Sequence, residues 1–145
     1  MNIELAEVIK LYATINPIEL NNYLLGKSKN TLIALLTDLL TIYMNDRNSS
    51  MLREFLTVTI AGYEHTEGKI GYNGYKQNSF IGGKPVKCEA KPKNINTSEG
   101  VKRKLNGGGN FSDYTFERLE RDLQENLNIL VSGFVDGKLI YRISK

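Results

Sequence analysis

The apolar residues of this chain change their period near Tyr63, and that change limits the layers the chain can build. Before it, Leu5, Val8, Ile9 and Tyr12 recur at helical spacing. The stretch "NPIELNNYLLG" then predicts a second helix, with Asn16 as cap, Pro17 as first helical residue, Glu19 as capping-box acid and Gly26 as stop. A third helix is expected to start after Asn30 and to run through Leu32, Leu35, Leu36, Leu39 and Leu40 to about Met44. A fourth follows the "NDRNSS" break from about Met51, with Leu52, Phe55, Leu56 and Ile60 on one side. These leucines read as core.

After Tyr63 glycine, tyrosine and β-formers take over. "GKIGYNGYKQNSFIGGKPVKCEAK" predicts two or three short strands with turns at Asn73-Gly74 and Gly82-Gly83. A polar, basic loop with the triplet Gly107, Gly108 and Gly109 follows. Ser112 or Asp113 is expected to cap a helix striped by Phe116, Leu119, Leu123 and Leu127, and the chain closes in a hairpin with a type I′ turn at Asp136-Gly137. The order predicts an α+β (or α/β) fold, a mixed β-sheet flanked by helices. At 145 residues and 41% hydrophobic, the chain is expected to form one domain, helical over 1–63 and sheet-containing over 64–145.

Charge is unevenly spread. Residues 84–104 carry Lys84, Lys87, Lys91, Lys93, Lys102, Arg103 and Lys104 against Glu89 and Glu99, a sum of +5 in a chain of +3, so the remainder sums to −2. A basic patch on a near-neutral body suits a polyanion. The lone Cys88 excludes an internal disulfide, and with one histidine, His65, a Cys/His zinc cluster is excluded too. The expected setting is cytoplasmic. The most apolar run, "TLIALLTDLLTIYM", is short and interrupted by Asp38, so it reads as a buried helix and no membrane partner is expected. His65 lies in a polar stretch and reads as a solvated residue; Cys88 reads as a small core group.

The chemistry concentrates in "GGKPVKCEAKPKN". On a strand, residues two apart share a face, so Glu89 and Lys91 would stand side by side. That is either a solvated ion pair or part of a metal site. Phosphodiester hydrolysis needs a hard dication, held by carboxylates and carbonyl oxygens, and a nearby lysine can orient the attacking water.

An acid-x-lysine strand after helices, followed by a basic loop and a helix, resembles the PD-(D/E)xK nuclease superfamily, and type II restriction endonucleases in particular. The resemblance covers roughly Ser49 to Ile140, a restriction-endonuclease-like core with the first helices as an elaboration. It implies Glu89 as a Mg²⁺ ligand, Lys91 as the catalytic lysine and the main-chain carbonyl of Ala90 as a further ligand. The family's upstream aspartate would fall near Asn78, preceded by Lys76 and Gln77, none of them a carboxylate. Glu64 or Glu67 in "EHTEGK", or Glu54 on the preceding helix, could supply the missing acid. Otherwise the domain binds DNA without cutting it, or the triplet is coincidental.

The expectation is therefore a Mg²⁺-dependent endonuclease acting on double-stranded DNA as a homodimer, with Lys93, Lys102, Arg103 and Lys104 on phosphates. The interleaved Tyr72, Asn73 and Tyr75 suit either a hairpin turn or base contact. The alternative is a non-catalytic DNA-binding or protein-interaction module with a degenerate nuclease fold.

Overall fold

The structure, a computed structural model, describes residues 1–46, 50–66, 72–77, 83–95, 115–125 and 127–144. Among them are five helices, α1 (Ile3–Ala13), α2 (Pro17–Leu25), α3 (Lys29–Asn45), α4 (Ser50–Ile60) and α5 (Phe116–Gln124). Five strands, β1 (Glu64–His65), β2 (Gly74–Lys76), β3 (Val86–Asn94), β4 (Asn128–Val135) and β5 (Lys138–Ser144), form one sheet in sequence order. Only β3 and β4 run parallel, with α5 between them as the crossover that a parallel pair requires. The fold is α+β with a mixed sheet, as the change of period predicts.

Local chemistry corrects several boundaries. α3 begins at Lys29, one residue before Asn30, because the Ser28 hydroxyl accepts from the Thr31 N–H at 3.2 Å and caps the helix there. α5 is capped by Thr115, whose hydroxyl accepts from the Arg118 N–H at 3.2 Å; the expected caps Ser112 and Asp113 lie outside the described residues. Asn16 precedes α2 but makes no side-chain capping bond, so Pro17 alone marks that start. β3 also continues beyond Lys91, where the strand-forming stretch is expected to give way to the basic loop, through Pro92 to Asn94. Proline is accepted because β2 pairs only with Val86 to Cys88, so on that side no ladder bond is lost at Pro92.

The sheet has two unlike faces. Alternation along β3 and β4 sends Cys88, Ala90, Leu130, Ser132 and Phe134 one way, and these pack on the helices. Leu5, Ile9, Ala13, Leu35, Leu56 and Phe134 make one cluster; Val58, Tyr63, Cys88, Ala90 and Leu130 make a second. The first draws on both halves of the chain, since Phe134 lies among residues of α1, α3 and α4. Between the clusters the hydroxyls of Thr57 and Ser132, both fully buried, meet at 2.5 Å, and Thr57 also donates to the Arg53 carbonyl. Not every expected core leucine is inside. Leu35 is buried and Leu39 packs on the core, but Ile33, Leu36 and Leu40 line the exposed side of α3.

The Asn73-Gly74 turn is also corrected, for Gly74 opens β2 opposite Cys88. A Cβ there would run into the Val58 side chain and the Glu64 carbonyl, so glycine serves close packing. The second expected turn, at Gly82-Gly83, falls partly outside the described residues. The Asp136-Gly137 turn has φ of 49° and 75°, the two left-handed residues of a type I′ hairpin. Tyr12 fastens α1 onto it. Its hydroxyl donates to the Asp136 carbonyl at 3.2 Å, and the Lys138 ammonium sits 3.0 Å from its ring centroid while donating to the Tyr12 carbonyl.

Candidate nucleic-acid and metal site

Glu89 and Lys91 lie on the face of β3 away from the helices, in line with Ile129 and Val131 of β4. Lys91 Nζ approaches Glu89 Oε1 to 2.9 Å, and the carboxylate is largely buried, with its side chain 11% exposed. A buried carboxylate needs a partner, and this lysine provides it. The same-face spacing thus produces a real contact. Lys93 continues the row beside Gly133.

Asn73 secures the strand from its edge. Its N–H donates to the Cys88 carbonyl at 2.8 Å, and its side-chain Oδ1 accepts from the Ala90 N–H at 2.6 Å. Both bonds grip β3 on either side of Glu89. The register that pairs Gly74 with Cys88 sets Asn73 opposite Glu89 itself. A strand residue points its N–H and C=O to the same side. The Ala90 carbonyl therefore aims toward the edge held by Asn73.

The three candidate acids separate. Glu54, on α4, lies across the sheet from Glu89, because α4 covers the Cys88 face. There its Oε1 is 3.0 Å from His65 Nε2. Glu64 pairs through Tyr75 with Lys87 in a row on the Glu89 side, and its Oε2 accepts from the Tyr75 hydroxyl at 2.7 Å. Hydrogen bonding to that carboxylate raises the Tyr75 phenol above its ordinary pKa. Glu67 lies outside the described residues, as do Asn78, Lys102, Arg103 and Lys104. Among the described residues no three His, Cys, Asp or Glu side chains gather as a metal-ligand group. Glu89 and the Ala90 carbonyl fit one side of a Mg²⁺ shell, and these residues do not complete it.

The aromatic segment is engaged within the chain. Lys87 Nζ lies 4.7 Å from the Tyr72 ring centroid and pairs with Glu125 at 3.0 Å, which also brings the end of α5 to this face. α5 turns Asp122 inward between Arg118 and Arg121, and the expected packing stripe of Phe116, Leu119 and Leu123 is exposed.

His65, expected as a solvated residue, is instead nearly buried, with its ring edge-on to Phe55 at 5.5 Å. The signal was positional: strand alternation from Cys88 through Gly74 puts His65 on the helix-covered face. Val58 fills the gap at Gly74 between His65 and Cys88, so the two do not form a nucleophile–base pair. Burial also pushes the Cys88 thiol up to about 12, which keeps it protonated and unreactive at neutral pH.

Compared with protein-family models, curated proteins and solved structures, the chain matches none.

Proposed function

We propose that this chain engages a DNA phosphodiester at Glu89 and Lys91 and hydrolyses it as a Mg²⁺-dependent endonuclease of the restriction type. The observation that carries the reading is the largely buried Glu89 carboxylate held 2.9 Å from Lys91 on the central strand, beside Lys93. The element order supports it: a helix, strands leading to the acid-x-lysine strand, then a helix returning to the sheet. A resident Mg²⁺ would neutralise phosphate charge and acidify water. Glu89 and the Ala90 carbonyl would be among its ligands, and Glu64 is the candidate second carboxylate on the same face, with Glu67 the other choice. Lys91 holds a cation where negative charge builds on the phosphate and offers a proton at Nζ.

The test is incubation of supercoiled plasmid with Mg²⁺ or Mn²⁺, with EDTA and Lys91→Ala as controls. Cutting that needs metal and is lost in the variant supports the reading. Plasmid left intact under every metal sinks it.

A second reading, a DNA-binding module without cleavage, is favoured by the amide of Asn73 where a carboxylate opposite Glu89 would serve a metal. It predicts duplex affinity that falls steeply with salt and a Mg²⁺ affinity unchanged by Glu89→Ala. For the homodimer, the support is the exposed stripe Ile33, Leu36, Leu40 and Met44 on α3. Leu36→Glu with Leu40→Glu should shift the mass measured by light scattering to that of a monomer. As for location, among the described residues no helix is long and apolar enough to cross a membrane.

A further inference from the structure

The outer face of α3 carries six large apolar side chains left open among the described residues. Leu32, Ile33, Leu36, Leu40, Tyr43 and Met44 are 38–79% exposed, while Leu35, Leu39 and Ile42 of the same helix turn inward. At one helical period the six fall within an arc of about 120°. Their positions are symmetric about Asp38: Leu36 and Leu40 lie two residues either side of it, Ile33 and Tyr43 five, Leu32 and Met44 six. Ile33, Leu36, Leu40 and Tyr43 follow one another at intervals of 3, 4 and 3, the spacing of a two-helix seam. Polar groups do not oppose covering this face. Thr37 and Thr41, beside it, already donate their hydroxyls to the Ile33 and Thr37 carbonyls, each at 2.9 Å, so burial strands no donor. Asp38 is the one charge between Lys29 and Asp46, and it stands about 120° round the helix from the stripe.

We propose that α3 packs antiparallel against α3 of a second copy of this chain, about a two-fold axis at the level of Asp38. The seam then sets Leu36 on the partner's Leu40, Ile33 on the partner's Tyr43 and Leu32 on the partner's Met44. The inference rests on the homodimer reading above and adds its contact surface and orientation. In a closed two-fold interface, if residue i meets j then j meets i. For an antiparallel helix pair that condition demands a contact set symmetric about its midpoint, which the six exposed residues form. A parallel pair would set each residue on its own copy and needs no such symmetry. Antiparallel packing also places the positive N-terminal end of each helix beside the negative C-terminal end of the other.

The experiment is disulfide trapping with a Cu²⁺–phenanthroline oxidant, read on a non-reducing gel beside the light-scattering mass of wild type. Ile33→Cys, Tyr43→Cys and the two co-expressed are compared, with wild type, whose Cys88 is buried, as background. In the antiparallel pair position 33 faces the partner's position 43, and the two copies of position 33 lie about 15 Å apart along the axis. That separation is too long for a disulfide to bridge. The co-expressed pair should give at least about 10-fold more crosslinked dimer than either variant alone. Leu32→Cys with Met44→Cys repeats the test one layer out, and decides it if the first pair weakens assembly. Single variants that crosslink as well as the mixture indicate parallel packing and overturn the proposal, with the homodimer intact. A dimeric mass with no crosslink in either pair also overturns it, moving the interface to another surface. A monomeric wild-type mass sinks the homodimer reading and this inference with it.

Discussion

The two faces of the sheet use burial for opposite ends. Toward the helices, β3 and β4 present Cys88, Ala90, Leu130 and Phe134, and the polar exceptions, Thr57 and Ser132, satisfy each other. Away from them, β3 presents a buried acid beside a lysine and a second lysine, and β5 adds the Tyr141 hydroxyl, with no partner among the described residues. The first face is largely apolar, and the second carries the charged and polar groups. Stability should therefore depend on one and ligand chemistry on the other.

The sharpest break of that comparison is Phe134→Ala. Emptying the centre of the first cluster should cost about 3–5 kcal/mol, read from urea unfolding. Lys91→Ala should cost less, about 1–2 kcal/mol, because it leaves the Glu89 carboxylate without its nearest cation while disturbing no apolar packing. If the two cost the same, the faces are not distinct. Thr57→Val strands the Ser132 hydroxyl in the core, at about 1–2 kcal/mol, and Thr57→Val with Ser132→Ala together should recover part of that loss.

A pH series sharpens the contrast. The Cys88 thiol is raised from an ordinary 9.0 to about 12, so the folded state holds a proton that the unfolded chain has already released. Its contribution is complete below pH 9 and is lost as pH rises from about 9 to 12. Cys88→Ala should show a shallower alkaline decline in unfolding free energy than wild type; parallel curves would contradict the assignment. The smallest effect is expected for Tyr12→Phe, about 0.5–1 kcal/mol, since it removes one exposed bond to Asp136 and keeps the ring against Lys138.

Much of this was legible from local rules. Period gave the helices, and the Asp136-Gly137 pair gave its hairpin because that turn type needs two left-handed residues. The Glu89–Lys91 contact followed from strand geometry alone. What escaped the sequence depended on pairing partners. Asn73-Gly74 has turn chemistry, yet Gly74 is needed where Val58 crowds the strand. His65 looked solvated because nothing near it in the chain shows that α4 brings Glu54 and Phe55 to it. Leu36 and Leu40 share α3 with Leu35, and only the docking of α3 on α1 decides which face turns outward.

The placement of Phe134 among Leu5, Ile9, Leu35 and Leu56 also sets an order of events at the ribosome. Four helices emerge with their apolar sides incomplete, and the side chain that fills their centre is made 78 residues after Leu56 (134 − 56). At ~5–20 residues per second that interval lasts roughly several seconds. During it the helical segment has every apolar surface it will later bury and not yet the strand that buries it, so a nascent chain stalled before β4 should be the form that chaperones hold longest.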